Sequence, residues 1–357
     1  MIARRTLHSS PGGDTIQIVS TAKYLKLLDI EVDIFIGDGE VDYSKYDIMH
    51  FFNIIRPDDI LPHIFKSKLP YVVSTIFVDF SEYEKNRKGV LGLLANIISS
   101  DNLEYLKAIG RFLKNGDKIS SKYYLFKGHR ASIKYIARKA KLLLPNSHSE
   151  YLRFVKKYKI ESPYFKIPNA IDNSVFSKDI SPNKAFENHV ISVGRIEGRK
   201  NQLNLIKALK ETDLFLTIIG QSSPNHIAYY NECVKIINES DNMQLIDHMD
   251  HIQLASIFKA AKVHVLPSWF ETTGLSSLEA AIMDCNIVVS QKGDTKEYFQ
   301  DLAYYCEPED IISIKNAVLK AFNTPNESSL KQLILEQYVW EKTAEQTLKA
   351  YNSILNK

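Results

Sequence analysis

The sequence contains few cysteines and no long apolar run, and each of these absences excludes a class of protein. Cys233, Cys285 and Cys306 are isolated within 357 residues, so we expect reduced thiols and neither a disulfide framework nor a paired-cysteine zinc site. No stretch of about 18 apolar residues is present, which excludes a spanning helix. The N-terminal segment MIARRTLHSS lacks the apolar core of a signal peptide. These absences predict a cytoplasmic protein.

Two ligand-binding motifs are also absent from the sequence. No Gly-x-Gly-x-x-Gly with a downstream ribose-binding acid opens the chain, which disfavours a dinucleotide oxidoreductase. There is also no Asp-x-Asp motif. We therefore expect no catalytic metal and no cofactor.

Short apolar strands alternate with helical patterns along the chain, which is typical of an α/β protein with a parallel sheet covered on both faces. The length suits two domains with separate cores. We predict a first domain over residues 1–184, a second over 185–335 and a last helix over 336–357 that packs back on the first. The first boundary is placed in the polar, proline-containing stretch 177–183. Strands are predicted at four segments, residues 32–36, 48–52, 71–74 and 261–267.

Two carboxylates, Glu271 and Glu279, stand eight residues apart around a glycine turn that opens a helix. The buried strand 261–267 precedes the turn, and apolar residues at helical spacing follow it. Free amides of residues 274–276 would form the positive end of the helix, where phosphate binds. At about 1.5 Å per residue, Glu279 lies roughly 6 to 7 Å further along, near the separation between a diphosphate and its ribose. The spacing alone fits equally well a lysine-paired Glu279 and an exposed Glu271.

This segment resembles the signature of the family 4 retaining glycosyltransferases, which are glycogen-synthase-like enzymes. The matching residues are Pro267, Ser268, Glu271, Gly274, Leu275, Leu278, Glu279 and Ala280, whereas Thr273 stands where the family usually has phenylalanine. Four further segments follow the family's order: 167–172 (IPNAID), 193–195 (VGR) with Lys200, 216–220 (LTIIG), and 338–341 (YVWE) with Tyr351. The resemblance implies a GT-B architecture, in which two Rossmann-like domains face each other across a cleft.

The resemblance also implies an activity, the transfer of a hexosyl group from a nucleoside diphosphate to an acceptor hydroxyl with retention of anomeric configuration. Arg195 and Lys200 would stabilise the charge that develops on the leaving diphosphate. Glu271 would hold hydroxyls of the donor sugar and Glu279 those of the ribose. The other expected donor contacts are Gly12, Gly13, Thr273, Gly274, Leu275 and Ser276. Arg195 and Lys200 are also compatible with plain surface charges after a strand.

The first half of the chain resembles the family less closely. Gly12 and Gly13 match the glycine-rich loop that faces the donor phosphates, although Pro-Gly-Gly by itself most often marks only a turn. After the predicted strand 71–74 the family often places a histidine that contacts the donor sugar. This chain has residues 75–79, TIFVD, with Phe77 among them. Asp79, or a histidine from elsewhere, is the expected replacement.

His50 is an acceptor-side candidate. It lies near the end of the predicted strand 48–52, where open α/β sheets bind ligands. The same position is compatible with a structural histidine that has both ring nitrogens satisfied.

Residues 107–141 carry eleven Lys or Arg residues against one acid, Asp117, with aromatic and aliphatic residues between them. Because the whole chain has a net charge of only +3, the remainder is net negative. A basic face with aromatics suits anionic lipid head groups, to which each cation adds about 1 kcal/mol. A solvated helical face over an ordinary core would give the same pattern. No nucleic-acid-binding motif accompanies the charge, so nucleic acid is disfavoured.

These features favour a lipid-linked or other oligosaccharide as the acceptor, in the assembly of a bacterial surface polysaccharide such as O-antigen, lipopolysaccharide or capsule. The protein would then attach peripherally to the inner face of the plasma membrane. Two alternatives stay open, a non-catalytic, membrane-docked scaffold of the same fold and a nucleotide-sugar epimerase. Arg195, Lys200, Glu271 and Glu279 together disfavour the scaffold, because a scaffold does not need to hold a diphosphate and a ribose.

Overall fold

The computed structural model describes residues 1–9, 11–78, 99–115, 118–176 and 179–355. The chain divides into two compact units. Unit 1 comprises Met1–Asn169 and Trp340–Lys357, and unit 2 comprises Ala170–Val339. No helix in the described ranges is long and apolar enough to cross a membrane.

The described residues of unit 1 form a five-stranded parallel sheet with the strand order β2-β1-β3-β4-β5. Its strands are β1 Ile2–Ala3, β2 Phe35–Ile36, β3 Met49–Phe52, β4 Tyr71–Ser74 and β5 Leu142–Leu144. Its helices before residue 170 are α1 Gly13–Lys26, α2 Pro57–Lys66, α3 Ser100–Asn115, α4 Lys122–Lys139 and α5 His148–Tyr158. The strand order reverses between β1 and β3, so the carboxyl ends of these strands form a switch point of the kind at which open α/β sheets bind ligands.

Unit 2 contains a six-stranded parallel sheet with the strand order β11-β10-β9-β6-β7-β8. Its strands are β6 Val190–Val193, β7 Leu216–Ile219, β8 Met243–Ile246, β9 Val263–Leu266, β10 Asn286–Ser290 and β11 Tyr304–Cys306. Its helices are α6 Gln202–Leu209, α7 Ile227–Asn238, α8 His251–Ala260, α9 Leu275–Ile282, α10 Thr295–Phe299, α11 Ile311–Asn323 and α12 Ser329–Gln337.

The unit 2 sheet is covered on both faces, as its continuous apolar strands predict. Side chains alternate between the faces with a period of two. Val288 packs with Val263 and Val265 in one core cluster, whereas Ile287 and Val289 pack in the cluster on the other side. The predicted α/β class and the two parallel-sheet, Rossmann-like halves are therefore confirmed.

The described strands of unit 1 follow the predictions closely where the strand is buried. Strand 71–74 has the predicted bounds, and the strand predicted at 48–52 begins one residue later. The strand predicted at 32–36 is reduced to Phe35–Ile36, because β1 offers it only two partner residues.

The division between the units falls at Asn169 and Ala170, earlier than the predicted boundary at residue 184. The reason is that the intervening segment packs in unit 2. The amide of Ile171 donates to the carbonyl of Tyr338 at 3.0 Å, and Phe176 joins the unit 2 core. Within the predicted linker 177–183, residues 177 and 178 lie outside the described residues.

The last helix, α13 Trp340–Leu355, belongs to unit 1. Trp340 is buried, and Thr343 donates a hydrogen bond to the carbonyl of Pro168 at 2.9 Å. The helix begins at Trp340, later than the predicted residue 336, because residues 329–337 form the separate helix α12 in unit 2.

Candidate active site

The turn between β9 and α9 has the geometry that its sequence predicts. The strand ends at Leu266 and the helix begins at Leu275. Gly274 caps the helix with φ +73°, a left-handed conformation that side-chain-bearing residues rarely adopt. In the first turn of a helix the amides have no intrahelical acceptor. Those of Leu275 and Ser276 are thus available to an anion.

Glu271 is fixed between the ends of two neighbouring strands, β9 and β10. Its amide donates to the carbonyl of Lys292 at 3.1 Å, and its carbonyl accepts from the amide of Asp294 at 2.8 Å. A Cβ atom at Gly293, which has φ +97°, would lie 2.0 Å from the Glu271 carbonyl oxygen. Only glycine fits at residue 293, so the carboxylate of Glu271 is presented from a rigid turn.

Lys200 reaches Glu271 across the carboxyl ends of the unit 2 sheet. Its Nζ atom lies 2.6 Å from Oε1 of Glu271, and the two side chains are 19% and 11% exposed. Lys200 ends a short 3₁₀ turn, Gly198–Lys200, that follows β6. The structure therefore brings together two of the three predicted catalytic residues. They form a partly buried ion pair.

Arg195 extends from the same strand end as Lys200 but is more exposed. Its Nη2 atom lies 3.8 Å from Oε1 of Glu197, and 45% of its side chain is exposed. Glu197 is buried and also pairs with Arg199 at 2.6 Å. The guanidinium group of Arg195 thus keeps a loose local partner and can reorient toward a ligand.

Glu279 lies in the second turn of α9 and is half-buried. In the described parts of the chain no residue forms a hydrogen bond or ion pair with its carboxylate. Burial raises the pKa of Glu279 from 4.5 to about 7, because the charged form is poorly solvated there. A carboxylate in this state binds hydroxyl donors well, since they replace the lost solvent.

The start of α9 is tied to two strands beneath it. Ser276 donates to the carbonyl of Val193 at 3.1 Å, and the Ser277 hydroxyl lies 3.2 Å from Nδ1 of His264. Burial and then the charge of Lys200 lower the pKa of His264 to about 3, so this histidine is neutral. The hydroxyl of Thr273 is buried and has no hydrogen-bond partner within the described residues.

Residues 176–338 match the model of the family described as glycosyl transferases group 1. This segment is a group 1 glycosyl transferase domain. The match confirms the family resemblance for the half of the chain that contains Lys200, Glu271 and Glu279.

Curated relatives of the chain are glycosyltransferases by name. The chain is 27% identical over 166 residues to a D-inositol 3-phosphate glycosyltransferase of Pseudarthrobacter chlorophenolicus, covering 42% of this chain and 40% of the relative. It is 24% identical over 198 residues to the O-antigen chain mannosyltransferase RfbU of Salmonella typhimurium, covering 55% of each. The matches thus span about half or less of these relatives' length.

Solved structures with the same fold cover nearly the whole chain. Sucrose-phosphate synthase from Thermosynechococcus elongatus matches with a TM-score of 0.76 and 15% identity, covering 99% of both chains. Anabaena HepE in complex with UDP and glucose matches with a TM-score of 0.69 and 13% identity, again over 99% of both chains. At these identities the likeness establishes the fold, and it agrees with the GT-B architecture that the sequence resemblance implies.

The remaining donor candidates lie in unit 1, outside the group 1 domain. Gly12 is the residue before α1, and Gly13 is the first residue of that helix. The amide of Gly12 donates to the Thr15 hydroxyl at 3.1 Å. Arg4, the residue after β1, forms an ion pair with Asp14 in the first turn of α1. The two glycines therefore lie at the start of α1, which is joined to the residue after β1 by this ion pair.

The acceptor-side candidate His50 has a structural role in unit 1. Its Nδ1 atom lies 2.6 Å from the hydroxyl of Tyr351, and its Nε2 atom lies 2.8 Å from that of Ser74. Because the ring is buried and both nitrogens are hydrogen-bonded, no ring nitrogen is left for a substrate. The other candidate, Asp79, lies outside the described residues. Phe77 is a core residue that packs edge-on against Phe154.

The basic segment 107–141 divides into two parts with different surroundings. Its second part is packed into the unit 1 core through one face of α4, at His129, Ser132, Ile133, Ile136 and Ala137. Around its first part, large apolar side chains are exposed on α3 and at the start of α4: Leu106 54%, Phe112 43%, Leu113 75%, Leu125 39% and Phe126 80%. Among the described residues of the segment, Lys107 pairs with Glu104, Lys118 with Asp38, and Arg130 with Asp101. The predicted membrane-facing surface is therefore narrower than the segment.

Sequence reasoning missed two supports of the donor site, Gly293 and His264. A sequence signal for Gly293 was present, because this glycine follows the apolar strand 286–290, as Gly274 follows β9. His264 gave no signal. Its contact with Ser277 depends on how α9 packs over the sheet.

Proposed function

We propose that the protein transfers a sugar from a nucleoside-diphosphate sugar to an acceptor hydroxyl. The observation that carries this proposal is the half-buried carboxylate of Glu279, which has no partner in the described residues and follows the glycine-capped start of α9 by one turn. Two ribose hydroxyls would supply the donors that this carboxylate lacks. The diphosphate would then lie on the amides of Leu275 and Ser276.

The ion pair of Lys200 with Glu271 gives the site its proposed chemistry. As the glycosidic bond breaks, negative charge grows on the diphosphate, and a fixed cation aimed at it stabilises the transition state. Lys200 and Arg195 supply that charge in the proposal, and no metal or cofactor is assigned to the step. One carboxylate oxygen of Glu271 would accept hydrogen bonds from hydroxyls of the donor sugar. Retention of anomeric configuration is part of the proposal through the family resemblance.

We further propose that the acceptor is a lipid-linked or other oligosaccharide in surface polysaccharide assembly. The relative named as an O-antigen chain mannosyltransferase supports this choice. Exposed Leu113 and Phe126, flanked by basic residues of α3 and α4, support attachment to an anionic membrane. Apolar side chains enter the interfacial region of a bilayer while cations attract its lipid head groups.

The deciding experiment incubates the full chain with UDP-, GDP- and ADP-sugars together with a lipid extract that contains candidate acceptors. A transferase yields free nucleoside diphosphate and a glycoside, an epimerase yields an altered nucleotide sugar, and a scaffold yields neither. UDP-sugars are the first donors to test, because the structure of Anabaena HepE, which shares this fold, has been solved in complex with UDP-glucose. Release of nucleoside diphosphate that persists unchanged in Glu279→Gln would contradict the proposed site.

A further inference from the structure

The turn that follows β4 has an unusual backbone conformation. Ile76 has φ +43°, a left-handed value that is a genuine outlier for a β-branched side chain. Its side chain is buried with Ala3, Ile18 and Phe52, so the residue cannot relax by turning outward. Strain of this kind persists only where the surroundings enforce it, and it concentrates at functional sites.

The carboxylate of Glu150 holds this turn on both sides of Ile76. Its Oε1 atom accepts hydrogen bonds from the Thr75 hydroxyl and from the amide of Phe77, the latter at 2.8 Å. Its Oε2 atom accepts from the amide of Asn146 at 2.9 Å. The Glu150 side chain is fully buried. One carboxylate therefore joins the turn after β4 to the end of β5.

Two further contacts connect Glu150 to the rest of the carboxyl edge of the unit 1 sheet. The side-chain amides of Asn146 and Gln17 hydrogen-bond each other at 2.7 and 3.2 Å, which ties in α1. The amide of Ile54 donates to the carbonyl of Thr75 at 3.1 Å, which ties in the end of β3. This edge contains the switch point of the sheet, where open α/β proteins bind ligands.

We propose that Glu150 is a positioning residue for the transfer reaction, acting through the turn of residues 75–77. This inference rests on the proposed function. The Glu150 carboxylate holds Ile76 in a left-handed backbone conformation that is unfavourable for a β-branched residue. The turn follows β4 at the carboxyl edge of the sheet, where open α/β proteins bind ligands. A turn that only closed the fold would be more stable with glycine or asparagine at residue 76. The residue that supplies the restraint contacts no substrate itself.

The test uses Thr75→Val, which removes the hydroxyl with little change in shape, and Thr75→Ser as the matched control that keeps it. In the full chain, Thr75→Val should lower kcat by about 10- to 100-fold, since one hydrogen bond to a charged group is lost. Thr75→Ser should stay within about threefold of the natural protein. Nucleoside diphosphate affinity, measured by calorimetry, should be unchanged in both variants, because neither variant alters Glu279 or the amides of Leu275 and Ser276, which hold the nucleotide in the proposed site.

Glu150→Gln provides a second variant, because its amide group would face a backbone amide with a donor instead of an acceptor. It should lower kcat as Thr75→Val does and should speed hydrogen exchange of the backbone amide that its NH2 group faces, which is that of Phe77 or that of Asn146. An active protein in which both variants keep kcat within about twofold would overturn the positioning role. A parallel fall in kcat, nucleotide affinity and thermal midpoint would also overturn it, in favour of a purely structural role. Absence of transfer by the natural protein would instead overturn the proposed function itself.

Discussion

The ammonium group of Lys200 lies 2.6 Å from the carboxylate of Glu271, although the two residues are 71 positions apart in the chain. One follows β6 and the other follows β9, and these strands are neighbours in the sheet. Each side chain is therefore positioned by the end of its own strand. The ion pair lies at the edge of the sheet where the carboxyl ends of the parallel strands meet.

Replacing Lys200 with Met should lower both kcat and nucleoside diphosphate affinity, each by about tenfold or more, because the cation meets charge that grows in the transition state. Steady-state kinetics and calorimetry measure the two effects. Lys207→Met is the control, since Lys207 is an exposed lysine of α6 paired only loosely with Glu232 at 3.8 Å. A Lys200→Met enzyme with a raised KM and an unchanged kcat would refute the transition-state role.

Replacing Glu279 with Ala should weaken nucleoside diphosphate binding by about 10- to 100-fold, because the ribose hydroxyls lose a charged acceptor. Calorimetry on the folded variant measures this directly and needs no acceptor. Glu211→Ala, a change at an exposed acid of unit 2, should leave the affinity unchanged. Equal affinities in all three proteins would remove Glu279 from the site.

The raised pKa of Glu279, about 7 instead of 4.5, predicts a pH dependence with a definite sign. The folded protein binds this proton more tightly than the unfolded chain, so the resulting stabilisation is full below pH 4.5 and is lost as pH rises to 7. The loss is on the order of 1–3 kcal/mol. Thermal unfolding across this range should show it in the natural protein, and Glu279→Gln should remove it.

The same ionisation should act on ligand binding in the opposite direction. Because the charged carboxylate accepts hydrogen bonds from the ribose hydroxyls more strongly than the protonated carboxyl group does, nucleoside diphosphate affinity should rise from pH 6 to pH 8. Titrations at several pH values test this, with Glu279→Gln as the reference for all other ionisations. Parallel profiles for the two proteins would count against Glu279 as the titrating group.

Membrane attachment should require the cations of α3 and α4. The test compares co-sedimentation with anionic vesicles for the natural protein and for a variant in which four lysines become Gln: Lys114, Lys118, Lys122 and Lys127. The variant should bind less, and binding of the natural protein should fall as salt rises, because the Debye length shrinks from about 10 Å at 0.1 M to about 3 Å at 1 M.

A matched control for this experiment removes the same number of charges from unit 2, at exposed lysines Lys207, Lys210, Lys235 and Lys320. That variant should sediment like the natural protein. A further variant, Phe126→Ser, removes the most exposed aromatic of the surface, 80% exposed, and should weaken binding at every salt concentration. Sedimentation that is equal for all four proteins would contradict the docking surface and leave the donor site unaffected.

Local sequence patterns predicted the parts of the site that local geometry determines. The strand, glycine turn and helix around Glu271 and Glu279 depend on residues within one short segment, so their spacing was sufficient. The role of His50 was not predictable in this way. Its partner Tyr351 is 301 positions away, and nothing in the segment around His50 indicates which helix will cover it.

Contacts between residues distant in sequence also explain why the domain boundary was predicted too late and why the turn of residues 75–77 was not predicted. Ile171 belongs to unit 2 because it pairs with Val339, and no composition change marks that contact. The strained Ile76 reads in the sequence as an ordinary apolar residue after a strand. Its conformation follows from Glu150, which is distant in sequence and resembles a first-turn acid of α5.

The return of α13 to unit 1 sets an order of events during synthesis. Because unit 2 lies between Asn169 and Trp340 in the chain, the ribosome completes it before the last helix of unit 1 exists. Unit 2 can thus fold as a whole before synthesis ends. In unit 1, α1 cannot pack against α13 until α13 has been synthesised, and His50 cannot form its hydrogen bond to the hydroxyl of Tyr351 before then. Unit 1 is therefore the first unit whose synthesis begins and the last whose fold can be completed.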